Sequence, residues 1–520
     1  MPTNKIPIWL GSNKNVDEYG LGALSAELRD AFIDELQNVR KRPGVEPVIA
    51  LGTDARIDGL YWWEKQEALI AVSDSSVFKI TRDTEGAYSY DQYSYAVSGT
   101  TLASGTDVSF ADYGSVLYAA NGGKIFNIPS NAASPVAALA DVDAPDEVTK
   151  LAVLDSYLIC NFRNADNQTE FWWSEVLTPE DWQGEFATAE SNVDDLVNIK
   201  VSNGLIYLLG TRSLEIWYND GVTPFVPLSQ GTIQIGTCAP ESFVWCRDAF
   251  YWLDEQRQLV TLQGNQAIRL PPENIQSLTL YLQGLDVVSD ARGQYIAVAG
   301  QEFYILQLPT EDKTIAYNIT NHTWALWSRY ISATGQYEQW YGDQLDYSDL
   351  WNKRLLGHGS NGIIYEFSTD YTYDGGSEAE YIETQAGPYL LDQGGSPILM
   401  SGSGLESFSE PVRTLVRTGQ INHDTMTVIK HSAKYTLLCK RTGDFKAEIT
   451  SMSVRMRWRD NGTDNWSAWK AGSIDNVDNS TFRIAWRRNG QYYTRQLEIV
   501  NDDDAPLLIV HLEETFDYGV

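Results

Sequence analysis

Val197–Asn219 reads VNIKVSNGLIYLLGTRSLEIWYN, three short apolar runs divided by turn signals. Ile199 and Val201 alternate with polar neighbours, Ser202-Asn203-Gly204 breaks the run, Leu205–Leu209 follows, and Leu214–Tyr218 comes after Gly-Thr-Arg-Ser. A period of two sends successive side chains to opposite faces of a strand. Asn-Gly is the strongest short hairpin signal, because both central residues of the tight turn need positive φ. The same phrase recurs along the chain. KLAVLDSYLICNF (Lys150–Phe162) and SFADYGSVLYAANGGKIFNI (Ser109–Ile128) precede it; FVWCRDAFYWLDEQRQLVTL (Phe243–Leu262) and VVSDARGQYIAVAGQEFYIL (Val287–Leu306) follow. With Leu69, Val116, Tyr157, Leu205, Phe250, Tyr295 and Leu355 as markers, the steps are 47, 41, 48, 45, 45 and 60 residues. A four-stranded β-propeller blade takes about 40–50 residues. Residues 47–368 therefore read as a β-propeller. An irregular β-sandwich is the alternative, but roughly 320 residues would be large for one such core. Propellers close by pairing strands from both chain ends in one blade, so the seven markers favour six blades, with seven the alternative.

Composition fits an all-β chain with room for several domains. Aromatic residues are plentiful (17 Trp, 29 Tyr, 16 Phe in 520 residues), which suits packed strands, and helical periodicity is nearly absent. The start, MPTNKIPIWLGSNKN, has no apolar core of signal-peptide length, and no run approaches the roughly 18 apolar residues of a membrane span. The expectation is synthesis in a cytosol without a membrane-spanning segment. Cys160, Cys238, Cys246 and Cys439 are too few and too scattered for a disulfide scaffold or metal knuckle and read as free buried thiols. The five histidines show no metal-binding spacing. The net charge of −32 is unevenly placed: residues 411–520 hold 15 Lys and Arg against 14 Asp and Glu (+1), leaving 23 against 56 (−33) for residues 1–410. So acidic a body is not a sequence-independent nucleic-acid clamp, which needs Lys and Arg for phosphates.

Residues 1–46 read as an arm. Leu24, Leu28, Phe32 and Leu36 recur every four residues, a spacing that predicts a helical face. The arm ends in RKRPGVEP (Arg40–Pro47), a basic triplet before a Pro-Gly turn, read either as a solvated face or as docking onto an acidic neighbour. The pairs Trp62-Trp63 and Trp172-Trp173 lie on strands, so one member of each can enter a core while the other meets a neighbouring blade; packing is preferred over a sugar platform. Tyr317–Tyr330 is similar to a kelch-type outer strand pair. Residues 369–410, rich in Gly, Ser and acid, read as an exposed excursion or linker. From residue 411 a separate β-sandwich or barrel is expected. There Val454, Met456 and Trp458 alternate with Arg455, Arg457 and Arg459. Trp458 and Trp466 are expected in its core or anchoring its turns.

No catalytic constellation emerges. Asp460–Trp466 (DNGTDNW) is similar to the aspartate-box turn of sialidase propellers, but it occurs once and outside the expected propeller. A glycosidase needs two opposed carboxylates, and 70 acidic residues guarantee chance pairs. There is no GxSxG, P-loop or Cys-His pattern. Asn501–Asp504 reads as a solvated turn rather than a cation site. Neither a catalytic residue nor a cofactor or metal is expected.

Four blocks resemble one family. RKRPGV (Arg40–Val45), SLEIWYNDG (Ser213–Gly221), RMRWRDNGTDNWSAW (Arg455–Trp469) and RIAWRRNGQYYTRQLEI (Arg483–Ile499) look like the tail-hub, or nozzle, protein of short-tailed bacteriophages, also called the packaged-DNA stabilisation protein. The resemblance spans nearly the whole chain. It implies a structural virion protein, made in the bacterial cytoplasm, that forms a homohexameric ring below the portal and head-to-tail adaptor. Tailspikes or fibres and a tail needle would be neighbours, and double-stranded DNA would pass without sequence-specific binding. It also implies an arm more extended than the leucine spacing suggests. Structural or assembly roles are expected at Arg40, Arg42, Pro43, Gly44, Trp217, Tyr218, Trp458, Trp466, Trp486 and Arg487. The alternative function is a propeller glycosidase or depolymerase acting on host surface polysaccharide.

Overall fold

The computed structural model describes residues 1–6, 8, 25–162, 168–189, 194–222, 224–270, 272–332, 334–376, 408–423, 425–441 and 451–519. Val197–Asn219 lies in three strands of one sheet: Leu196–Ser202, Leu205–Gly210 and Leu214–Asn219 pair in succession, and Phe225–Ile233 adds the fourth. Its Asn203-Gly204 turn holds both residues at positive φ, 52° and 75°. Asp74-Ser75, Asp155-Ser156 and Ala299-Gly300 make the same two-residue reversal in other sheets. Such turns match the right-handed twist of the strands they join.

Six four-stranded units of consecutive strands follow one another, at 57–92, 109–138, 151–188, 196–233, 244–269 and 292–331. A composite unit completes the ring. Its strands Gln344–Ser348, Lys353–Gly357 and Ile363–Ser368 are joined by Gly44–Ala50 from the start of the chain. The first strand of this unit touches the first strand of the first blade, so the ring is closed. Each of the seven markers falls in its own sheet: six blades are continuous in sequence, and the closing strand makes a seventh rather than merging two marked units. We number them 1 to 7 in chain order.

Apolar side chains fill each seam between neighbouring blades. The tryptophan pairs show how. Trp62 enters the seam with blade 7, its ring 4.7 Å from that of Trp351, while Trp63 enters the seam with blade 2. Trp172 and Trp173 divide in the same way between blades 2 and 4. Both pairs are packing residues, each adding a large aromatic surface to two seams at once. Tyr317–Tyr330 lies in the outer hairpin of blade 6, with Trp324 and Trp327 buried. An α-helix, Pro272–Gln283, stands between blades 5 and 6; Trp324 Nε1 donates to its Ser277 Oγ at 3.0 Å.

Among its described residues the arm is not helical. Leu28 and Phe32 are buried on strands Ser25–Arg29 and Ala31–Ile33, Leu36 sits exposed in the turn before Val39–Lys41, and Leu24 lies outside the described residues. The four-residue spacing arises from two strands joined by the left-handed Asp30 (φ 52°), not from a helix. Nor is the region after residue 411 separate from the N terminus. Ser25–Arg29 pairs with Thr414–Thr418 in one sheet, while Thr3–Ile6 and Val39–Lys41 pair with Leu508–Tyr518 in a second. Both chain ends thus build a single double-sheeted base. Its interior (Leu437, Met456, Ile484, Trp486) is continuous with the seam between blades 6 and 7. The first sheet also abuts blade 6, where Arg29 meets Leu326 in parallel. The 369–410 excursion starts and ends on paired strands, Tyr373–Gly376 against Phe408–Pro411; the residues between them lie outside those described.

Candidate assembly site

Arg42 sits where the N-terminal hairpin, blade 6 and the feet of the excursion meet. Its side chain is fully enclosed, and every guanidinium N–H has an acceptor. Nε donates to Asp30 Oδ1 at 2.9 Å. One terminal nitrogen donates to the Pro43 carbonyl and to Asp374 Oδ1, both at 2.9 Å. The other donates to the Ser328 carbonyl at 2.6 Å and to the second Asp374 oxygen. Burial works against the cation, but Asp374 and Asp30 outweigh it and hold its pKa above the ordinary arginine value. Asp30 also accepts from Ser328 N at 2.7 Å and Oγ at 2.6 Å. The closing strand of the propeller starts two residues later. Gly44 N donates to the Tyr371 carbonyl at 2.8 Å, and a Cβ there would lie 1.8 Å from the Tyr373 carbonyl oxygen. Only glycine permits that approach. Lys41 is also buried, donating from Nζ to the Asp503 carbonyl at 2.7 Å; burial lowers its pKa to about 8. The basic triplet is therefore not a solvated face. Its acidic neighbours belong to the same chain.

A ladder of alternating charge crosses the first base sheet. Glu27 faces Arg417, Arg417 faces Glu498, and Glu498 faces Arg457 on successive strands. Arg29 donates to Glu27 at 2.9 Å, Arg417 to Glu27 at 2.7 Å and to Glu498 at 2.9 Å, and Arg457 to Glu498 at 2.7 Å. Both carboxylates are buried, a state that requires such partners. The aspartate-box turn folds over the ladder. Trp466 packs on Arg417, Arg457 and Arg459, and Trp469 on Arg455 and Arg457, with guanidinium-to-ring distances of 4.5–5.7 Å.

A third cluster closes one mouth of the propeller axis. Arg56, Asp107, Lys150, Glu241, Arg292 and Asp343 all lie at or just before the first strands of their blades, the strands that touch their counterparts round the ring. Arg292 of blade 6 donates to Asp107, before blade 2, at 2.9 Å, and to Asp343 at 3.1 Å. Lys150, before blade 3, donates to Glu241, before blade 5, at 2.5 Å. Blades 6 and 2 are not neighbours, nor are 3 and 5. These bonds cross the axis and occlude it, so no duplex threads a single propeller.

The expected site residues fall in three places. Arg40 (half-buried), Arg42, Pro43 and Gly44 form the first junction. Trp217 is buried between blades 3 and 4, its Nε1 donating to Glu215 at 3.0 Å, and Tyr218 follows it half-buried. Trp486 is a core residue, Arg487 is exposed, Trp466 caps the ladder, and Trp458 is half-buried between Arg495 and Lys470 rather than central. Sequence reasoning missed Asp30, Ser328 and Asp374, and it missed Glu27, Arg417 and Glu498. Their partners lie up to several hundred residues away, so no local spacing signals them. The acids of Asn501–Asp504 are engaged within the chain: Asp502 by Arg455 and Ser453, Asp503 by Ser453 N at 2.6 Å, Asp504 by Thr372.

Comparison with known proteins bears on the same region. A family model described as phage stabilisation, bacteriophage P22 Gp10, β-propeller, matches residues 41–372. No curated protein matches in sequence. Similar solved structures include the extracellular domain of a hybrid two-component system of B. thetaiotaomicron (11% identity, 64% of this chain and 40% of that one, TM-score 0.41). Others are a streptogramin B lyase (10%, 64% and 98%, 0.38) and the N-terminal domain of Nup159 (8%, 66% and 99%, 0.38).

Proposed function

This chain belongs to the bacteriophage P22 Gp10 β-propeller family, a family of structural phage tail proteins, and on that premise we propose that it is the nozzle of a short-tailed phage. Six copies form a ring below the head-to-tail adaptor, retain the packaged DNA and give it an exit channel. The family match over 41–372 is the observation that carries this reading. Tailspikes or fibres and a tail needle are the proposed neighbours in the virion. The occluded propeller axis supports a DNA path between copies, not through one. The −33 of residues 1–410 supports an acidic lumen, which repels phosphates and lets the duplex slide, with a reach of about 8 Å at physiological salt. A basic lumen would bind phosphates and hold the duplex. The protein acts without catalysis.

Imaging of the assembled particle tests the whole reading. Six copies should surround the DNA path, with an inner wall more acidic than the outer one; a different copy number or a position away from the DNA path would overturn it. Particles lacking the chain should lose packaged DNA. Several lumen Asp/Glu→Lys changes together should slow ejection without preventing assembly. Purified protein should leave host polysaccharide intact, and cleavage lost on changing one carboxylate would establish the depolymerase instead.

A further inference from the structure

The outer face of the second base sheet runs against the charge of the rest of the chain. Lys430–Lys440 and Thr481–Arg487 pair antiparallel there, Lys434 opposite Arg487 and Leu438 opposite Arg483. Tyr435, Leu437, Cys439, Phe482, Ile484 and Trp486 alternate inward to the core. The other parity carries Lys434, Lys440, Arg483 and Arg487 outward, and Arg488 continues the row into the turn. Among the described residues none of these five cations is in an ion pair, whereas the arginines of the charge ladder on the first sheet are all paired. Among the described residues the flanking acids do not pair with the row: Glu513, opposite Thr436, meets His511 at 2.9 Å, Asp517 lies opposite His431, and Asp475 faces Arg483 across the strands without closing to an ion pair. Like charges directly opposite one another destabilise a sheet. Lys434 against Arg487 is such a pair, and Lys470, beside Arg488, adds a third cation whose pKa burial and that arginine lower. An isolated chain of net charge −32 gains nothing in solubility from an unpaired basic row.

We propose that this face is the acceptor for the acidic propeller of a second copy, a head-to-tail contact that repeats round the ring. The inference rests on the ring proposed above. Charge complementarity within one sequence carries it: the cations sit in the +1 portion, and the partner surface is the propeller, residues 47–368, where 17 Lys and Arg stand against 41 Asp and Glu (−24). A contact between two different patches of identical chains generates a closed ring when its rotation closes, as a six-fold nozzle requires. Rim charges of this kind set association rate and register. DNA is the other polyanion that could meet the row, but binding it would oppose sliding.

Zero-length carbodiimide cross-linking of intact particles, followed by peptide mapping, tests the contact. Lys434 and Lys440 should join to Asp or Glu within residues 47–368 at sites too far apart within one copy. Cross-links from these lysines to another tail protein, or none at all, would overturn the proposal. If imaging shows six copies in a ring but the cross-links fail, only this contact is wrong; if there is no ring, the function proposed above fails first. As a second readout, the triple variant K434E/R483E/R487E should fold with unchanged far-UV circular dichroism, yet enter particles about tenfold less than the neutral K434Q/R483Q/R487Q, as charge reversal at a complementary rim predicts. Equal incorporation would sink the idea. Retarded migration of a duplex DNA fragment by the native chain, lost in the triple variant, would reassign the face to DNA.

Discussion

Blade 4 and the base both pair strands, but over very different distances along the chain. In blade 4, Ser202 faces Leu205 across a two-residue turn, and Leu205 faces Tyr218. In the base, Thr3 faces Thr515 and Ser25 faces Thr418. Closing a short loop costs little chain entropy, so each of blades 1 to 6 forms from consecutive residues and packs its apolar faces against its neighbours. Base strands meet only when both chain ends are brought together, a slower and more cooperative step. The closing strand Gly44–Ala50 runs straight out of that base. Ring closure and base formation are therefore one event, and damage at the junction should spread where damage in a blade stays local.

Arg42→Ala gives the largest expected effect. It leaves Asp30 and Asp374 buried without their cation, a loss of about 3–5 kcal/mol that denaturant unfolding would read. A loss below about 1 kcal/mol would mean the junction is not a clamp. Within the base, Trp486→Ala removes a fully buried ring and should cost about 3–5 kcal/mol. Trp458→Ala, at a half-buried position, should cost about 1–2 kcal/mol, by the lower apolar area withdrawn from water. Equal losses would show that Trp458 is as central as the alternation of its strand suggests. Next comes one substitution at two glycines. At Gly44 the new methyl meets backbone, so the strands must part, at about 3 kcal/mol. At Gly204 nothing lies within 4 Å of it and only the positive φ opposes it, at about 1 kcal/mol. If Gly204→Ala proves the costlier, the contrast between local blade and cooperative base is wrong.

The smallest effect expected is a pH dependence within blade 7. Burial raises the Asp346 pKa to about 6 from 3.8, so its contribution to stability is full below about pH 3.8 and lost as pH rises through 6. Burial, helped by Arg329, lowers the His358 pKa to about 4 from 6.5, so its contribution is full above about pH 6.5 and lost as pH falls through 4. The two oppose each other between pH 4 and 6. Thermal unfolding of Asp346→Asn should therefore show a stability that falls on acidification across that window more steeply than in the native chain. His358→Gln should show the reverse slope. Identical slopes in both variants would mean neither group is held away from its ordinary titration.

The sequence by itself determined the blades. Turn residues, two-residue alternation and a period near 45 residues are local quantities, and every marker from Leu69 to Leu355 landed in its own sheet. It also showed that Arg455, Arg457 and Arg459 share one face and that the Trp pairs serve packing, because strand geometry fixes where alternate side chains point. Only the tertiary structure decided what closes the ring and what the basic residues meet. Leu28 and Phe32 carry a helical spacing, yet Asp30 between them takes a left-handed turn and each enters a different sheet. Arg42 reads as a surface charge until Asp374, 332 residues on, is folded against it. A repeat writes its fold in short-range pattern; a contact between chain ends writes nothing locally, because its free energy appears only once the remote partner has excluded water.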